Sequence, residues 1–109
     1  MSLPDPSRLT ASPTDQTRAV YAISVVSELT GIQPQSIRSY EQHGLLTPAR
    51  TDGGTRRYSD SDVGRLRHIG GLLEGGLNLA GVEAVLALEA ENKRLRQEID
   101  DLRGRRSRA

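Results

Sequence analysis

Residues 34–59 read PQSIRSYEQHGLLTPARTDGGTRRYS and contain the signals that decide the fold. Pro34 is favoured at the first position of a helix and Gly44 is a common helix stop, so a helix is predicted between them. The Asp-Gly-Gly run at 52–54 is a strong tight-turn signal, and it predicts a β-hairpin over residues 45–58. The stretch therefore predicts a short polar helix followed by an arginine-bearing hairpin.

Another short helix is predicted immediately before this stretch. A strand end at Ile23 precedes it, Ser24 is its candidate N-cap, and Gly31 is its stop. Val26 and Leu29 fall on one face of this helix. Two short helices joined by a turn are typical of a helix-turn-helix, and the polar face of the second is then free to contact DNA.

Two further helices are predicted after the hairpin. Ser59 and Asp62 form a capping-box pair at the start of the first, which ends at Gly75-Gly76, and Asn78 caps the second. Their apolar positions recur at helical spacing. These positions are Val63, Leu66, Ile69 and Leu72 in the first helix, and Leu79, Val82, Val85 and Leu86 in the second.

The last helix continues into a heptad pattern. Its a and d positions are Val85, Leu88, Asn92, Leu95, Ile99 and Leu102. A segment this polar gains little stability by folding alone, so the apolar stripe formed by these a and d positions needs to pack against another helix. A second copy of the chain supplies that helix. Asn92 either sets the register of the paired helices or is a frayed polar position. The arginines after Gly104 are expected to fray.

Composition excludes several classes of protein. The chain has 109 residues, a net charge of +1 and no cysteine, which removes disulfides, thiolate metal sites and thiol catalysis. The only histidines, His43 and His68, lack nearby ligands for a metal. No apolar run approaches a membrane span, and no signal peptide or catalytic constellation is present. We therefore expect a cytoplasmic protein that is not an enzyme and holds no cofactor.

The order and spacing of these pieces resemble the DNA-binding domain of the MerR family. The pieces are ISV at 23–25, QSIRSYE at 35–41, GLLTP at 44–48, RRYS at 56–59 and DV at 62–63. PART at 48–51 and NLAGV at 78–82 resemble its HspR branch of heat-shock repressors. The resemblance implies that the second helix enters the major groove, that the hairpin wing grips flanking backbone, and that the C-terminal helices pair antiparallel.

The expected fold is mainly α, with a winged helix-turn-helix DNA-binding domain, a small β-hairpin wing and a C-terminal coiled-coil dimerisation helix. Residues 1–20, rich in Pro, Ser and Thr, are predicted to be a disordered tail. The MerR-type domain covers 21–88, the coiled coil 89–104, and a frayed basic end 105–109.

The candidate DNA contacts lie on the second helix and the hairpin. Arg38 is expected to make a charge-assisted contact to phosphate or base, whereas the Tyr40 phenol either bonds a phosphate or packs. Arg56 and Arg57 point to opposite faces of a strand, so one grips DNA while the other supports the domain, with Arg57 ranked first. The full set is Gln35, Ser36, Arg38, Ser39, Tyr40, Arg50, Arg56 and Arg57.

The expected function is sequence-specific regulation of transcription, with a homodimer bound to an inverted-repeat operator in double-stranded DNA. The resemblance favours a repressor of stress or chaperone genes, with a chaperone or RNA polymerase as candidate partner and no small-molecule effector. Two alternatives are an excisionase-like architectural factor, which the heptad tail disfavours, and a coiled-coil interaction module with a vestigial DNA-binding head, which the intact arginine set disfavours.

Overall fold

The computed structural model describes residues 13–108, which form five helices and one two-stranded sheet. The elements are α1 (Pro13–Gln16), α2 (Ile23–Thr30), α3 (Pro34–Gln42), β1 (Ala49–Arg50), β2 (Arg56–Arg57), α4 (Asp60–Glu74) and α5 (Leu79–Arg108). Two compact units meet in the chain between Gly71 and Leu72. Within the described part of the chain, no helix is both long and apolar enough to cross a bilayer.

The helix-turn-helix pair has the predicted boundaries at three of its four ends. Gly31 adopts a left-handed φ of 72°, and its N–H donates to the Ser27 carbonyl at 2.8 Å. Pro34 occupies the first turn of α3, and Gly44 follows that helix with φ 75°. A left-handed conformation strains any residue with a Cβ, so glycine is favoured at both helix stops.

The predicted start of α2 is wrong. Ile23 is already helical, and the N-cap is Ala22, which is extended and whose carbonyl accepts the Val26 N–H at 3.1 Å. Ser24 therefore lies inside the first turn and is exposed rather than capping the helix. Leu29 does not share the buried face of Val26, because its side chain is 45% exposed.

The predicted disordered tail covers residues 1–20, only part of which the structure describes. Residues 1–12 lie outside the described residues, but 13–20 include α1 and a backbone link to the hairpin. The N–H groups of Val20 and Tyr21 both donate to the Tyr58 carbonyl, at 3.0 and 2.9 Å, and Tyr58 N–H donates back to Tyr21 at 2.8 Å. These backbone hydrogen bonds join Val20, the last residue of the predicted tail, and Tyr21 to Tyr58.

The hairpin is shorter than predicted. β1 and β2 pair antiparallel, with Ala49 opposite Arg57 and Arg50 opposite Arg56. The predicted tight turn lies between them. Residues 45–46 were expected to belong to the first strand, but both leucines are instead buried in the core, each no more than 3% exposed. Their apolar side chains gain more from burial than from a place on a two-stranded ribbon exposed to water.

The core of the first unit includes all three tyrosines of the chain in addition to the predicted aliphatic residues. Its buried members are Val26, Ile37, Leu46, Tyr58, Val63 and Leu66, with Tyr21, Ile23, Ile32 and Tyr40 packed partly against them. The predicted capping box starts α4: Ser59 N–H donates to Asp62, and Asp62 N–H donates to the Ser59 hydroxyl. Elements α2 to α4 thus share one small core.

The second unit contains the end of α4 and the whole of α5. Asn78 caps α5 as predicted, since its side-chain oxygen accepts the Gly81 N–H at 2.8 Å. The helix passes Gly104 and ends at Arg108, so α5 continues beyond the residue after which fraying is predicted. One glycine costs a helix only about 1 kcal/mol relative to alanine, and arginine on both sides favours the helix.

Core burial predicts unequal effects for the same substitution at two leucines. Leu66 is fully buried and Leu29 is 45% exposed, so Leu66→Ala should lower the free energy of unfolding by about 2–5 kcal/mol. Leu29→Ala is the matched control and should cost less than about 1 kcal/mol. Urea unfolding followed by circular dichroism measures both changes. Equal losses would contradict the assigned core.

Candidate nucleic-acid interface

The second helix of the pair, α3, exposes a polar face. Ile37 is fully buried and anchors the helix. Gln35 and Arg38 are exposed, while Ser36 and Ser39 are half-buried. No described residue forms an ion pair with Arg38. This face therefore presents a free guanidinium and short polar side chains, which are the groups that contact phosphates and base edges.

Tyr40, the remaining candidate on α3, lies partly in the core. Its ring packs against the buried cluster that contains Ile37 and Tyr58. This packing is one of the two roles predicted for Tyr40, and a hydrogen bond from its phenol to a phosphate stays a prediction. The half-buried ring helps to fix the orientation of α3 against the domain.

The arginines of the hairpin lie on two opposite faces of the sheet, as the alternation of side chains along a strand predicts. Residues directly opposite each other in an antiparallel pair share a face, so Arg50 and Arg56 lie together. Both contact Glu41 of α3: Arg50 Nη2 lies 2.8 Å from Oε1, and Arg56 Nε donates to Oε2. Arg50 also donates to the Gly54 carbonyl at 3.1 Å. The two arginines are thus bound within the domain.

Arg57 lies on the other face of β2. Its guanidinium donates to the Arg56 carbonyl at 3.3 Å, and no carboxylate among the described residues forms an ion pair with it. Arg57 and Arg38 therefore keep their charges available, whereas Arg50 and Arg56 share the charge of Glu41. This division agrees with the prediction that one of the adjacent strand arginines supports the domain.

Tyr58 lies under this group of charges. Its ring is fully buried, and its hydroxyl has no hydrogen-bond partner among the described residues. Burial raises the pKa of Tyr58, the negative charge of Glu41 raises it further, and the nearby guanidinium groups of Arg56 and Arg38 oppose both effects. The phenol is therefore neutral at ordinary pH and contributes an apolar ring to the core.

Sequence reasoning missed Glu41. An acidic residue on a helix followed by several arginines in a hairpin is a charge pattern that could have suggested the contact. Spacing along the chain does not show which arginine reaches the carboxylate, because that depends on how the hairpin folds back over α3. Glu41 is only 17% exposed as a side chain.

The two histidines lie apart from any cluster that could hold a metal. The His43 ring Nδ1 lies 2.8 Å from the Ser39 carbonyl, within α3 and its C-terminal cap. Across the described residues, no group of three or more His, Cys, Asp or Glu side chains could hold an ion.

A helix-turn-helix followed directly by an arginine-bearing hairpin defines a winged helix-turn-helix protein. The chain belongs to the MerR family, since the model described as "MerR HTH family regulatory protein" matches residues 21–89. This confirms the resemblance that the motifs indicated, and it confirms the predicted fold of a small hairpin within a mainly helical chain with a long C-terminal helix.

Curated relatives of this chain come from Streptomyces and from Bacillus. The chain is 45% identical over 71 residues to the protein of Streptomyces coelicolor described as "Putative heat shock protein HspR", covering 64% of this chain and 47% of that protein. It is 41% identical over 70 residues to the transcriptional regulator GlnR of Bacillus anthracis, covering 64% of this chain and 54% of the relative. The chain thus spans about half the length of these relatives.

Among solved structures, the N-terminal part of MtaN, the multidrug transporter activator of Bacillus subtilis, is 30% identical with a TM-score of 0.58. The match covers 76% of this chain and 91% of that one. A MerR family regulator from Listeria monocytogenes is 25% identical with a TM-score of 0.60, over 79% of this chain and 72% of the other.

The unpartnered phenol predicts an unusual response to its removal. A buried donor without an acceptor costs about 1–3 kcal/mol, so Tyr58→Phe should leave the free energy of unfolding unchanged or raise it. Tyr21→Phe is the matched control, because the Tyr21 hydroxyl donates to Asp60 at 2.8 Å, and it should lower stability. Urea unfolding compares the two. A larger loss for Tyr58→Phe would show that its hydroxyl has a partner in solution.

Proposed function

We propose that this protein is a sequence-specific DNA-binding regulator of transcription that acts as a homodimer on an inverted-repeat operator. The single observation that carries the proposal is the exposed polar face of α3, with the unpaired Arg38 guanidinium, beside an arginine-bearing hairpin in a MerR family chain. The DNA-binding domain of the proposal covers residues 21–88.

The proposed contacts divide by chemistry. Gln35, Ser36 and Ser39 have the hydrogen-bonding groups that read base edges in the major groove. Arg38 of α3 and Arg57 of the wing bind phosphates through their positive charge. Tyr40 packs in the core and supports α3, the helix that carries Arg38. Such an interface binds more weakly as salt rises, because each phosphate contact releases counterions.

The proposed dimer forms through residues 85–102 of α5, a range that overlaps the 89–104 segment expected to be a coiled coil. Four apolar side chains at heptad positions are exposed in the single chain: Leu88 (68%), Leu95 (43%), Ile99 (46%) and Leu102 (51%). Asn92 is exposed among them, and Val85 is half-buried. A long polar helix with one apolar stripe gains stability by packing that stripe on another helix.

The family resemblance supports an antiparallel second copy as the occupant, and the charges beside the stripe are compatible with it. The positions that flank the stripe are acidic near its start, at Glu89 and Glu91, and basic near its end, at Arg103 and Arg105. Antiparallel pairing puts each acidic end beside the basic end of the partner. The symmetric dimer then presents two equivalent α3 helices to an inverted repeat.

The similarity to an HspR protein supports repression of stress or chaperone genes as the regulatory role. In this proposal the signal arrives through dimer stability or through a protein partner, either a chaperone or RNA polymerase. The protein then needs no cofactor, metal or small-molecule effector, and it carries out no catalysis. Binding to chromosomal DNA places it in the cytoplasm.

Removal of the free charge on α3 should weaken DNA binding and its salt dependence together. Arg38→Ala is expected to lower affinity for a selected duplex about tenfold or more and to reduce the slope of log affinity against log salt by about 1. Arg94→Ala is the control, because it removes the same charge from α5, where Arg94 pairs with Glu91 and Glu98. Fluorescence polarisation over a salt series measures both. Salt-insensitive binding by the wild type would disprove the proposal.

A charge in the stripe should break the dimer. Leu95→Asp places a carboxylate at the proposed seam and should give monomers, with a large loss of operator affinity because two half-sites no longer bind as one unit. Ala90→Asp is the matched control on the opposite, exposed face of the same helix. Sedimentation velocity reports the oligomeric state. An intact Leu95→Asp dimer would place the interface elsewhere.

A further inference from the structure

The carboxylate of Glu41 bridges α3 to both strands of the wing. Its Oε1 accepts from Arg50 on β1 at 2.8 Å, and its Oε2 accepts from Arg56 on β2. The two arginines face each other across the sheet. Each oxygen of a single carboxylate thus holds one strand, which fixes both the position of the wing and its distance from α3.

Without Glu41, the two arginines would repel each other. Like charges directly opposite in an antiparallel pair are destabilising, and a carboxylate between them removes that repulsion. The Glu41 side chain is 17% exposed and that of Arg56 is 31% exposed, so water and salt screen this contact less than a contact at the open surface. The Arg56 contact is therefore the better shielded of the two, since the Arg50 side chain is 47% exposed.

The bridge also determines which wing charges DNA can use. A phosphate that approached Arg50 or Arg56 would meet a guanidinium whose charge is already shared with a carboxylate, and that carboxylate needs no loss of translational freedom to bind. Arg50 is held a second time by the Gly54 carbonyl. Arg57 has no carboxylate to displace among the described residues.

We propose that Glu41 is a positioning residue that holds the wing against α3 and withholds Arg50 and Arg56 from DNA phosphates, so that the wing grips DNA through Arg57. This inference rests on the proposed DNA-binding function. It changes the role of Arg50 and Arg56 from DNA contacts to supports of the wing. It also gives a role to Glu41, an acidic residue in a region otherwise expected to bind the DNA phosphates.

The number of phosphate contacts, measured by salt dependence, separates the two roles. Each phosphate neutralised contributes about −0.9 to the slope of log affinity against log salt. With a mixed-sequence duplex as probe, Arg57→Gln should make the slope shallower by about 0.9, while Arg50→Gln and Arg56→Gln should leave it unchanged within about 0.3. An equal reduction in all three variants would overturn the inference.

Removal of the carboxylate should have the opposite effect. Glu41→Gln frees both guanidinium groups, so the slope should become steeper by about 1 to 2, and the preference for a selected operator over the mixed-sequence duplex should fall. A merely structural contact predicts weaker binding without a steeper slope. A Glu41→Gln slope equal to that of the wild type would also overturn the inference.

A measurement without DNA separates this inference from the function on which it rests. In a double-mutant cycle of Glu41→Gln with Arg56→Gln, the unfolding equilibrium constant should show a coupling of about fivefold or more, because the two side chains contact each other directly. No coupling would overturn the bridge itself. If the cycle shows coupling but the wild type has no salt-dependent binding, the proposed function fails, and the role of Glu41 toward DNA fails with it.

Discussion

Tyr58 holds together the parts of the first unit through both its backbone and its ring. Its backbone pairs with Tyr21 and accepts from Val20, while its ring is buried in the cluster that joins α2, α3 and α4. It directly follows β2 and precedes the Ser59 cap of α4. Each strand of the hairpin is only two residues long, and such a hairpin is not stable alone. Its position in the domain therefore depends on Tyr58.

Electrostatic contacts then determine which arginine side chains of the hairpin remain available to a ligand. Three arginines lie in or beside a ribbon with almost no core of its own, and Glu41 binds the two that share a face. The third, Arg57, and Arg38 of α3 form no ion pair with any carboxylate in the described part of the chain. The domain therefore combines a rigid support with a small number of available cations, although the net charge of the whole chain is only +1. Net charge alone is a poor guide to such a surface.

The second unit, unlike the first, has few buried side chains. Val82 and Leu86 are buried near the start of α5, but from residue 87 onward the helix exposes nearly every side chain, including its apolar heptad positions. Within one chain, the ion pairs of Arg94 with Glu91 and Glu98 are exposed and contribute little to stability. A helix of this composition reaches its full stability only with another helix, so the proposed assembly and the stability of α5 are linked.

The sequence by itself determined the elements whose signals are local. Gly31, Pro34, Gly44, Ser59 and Asn78 mark helix ends through backbone conformation and nearby hydrogen bonds, and these features depend on a few neighbouring residues. The apolar spacing likewise identified most of the core and the exposed stripe of α5. Only the tertiary structure decided that Leu45 and Leu46 leave the hairpin for the core, that Tyr58 orders residues 20–21, and that Glu41 reaches Arg50 and Arg56. Each of these contacts joins segments separated along the chain, and hydrophobic burial and Coulomb attraction act through distance in space, which the spacing of residues in a sequence does not contain.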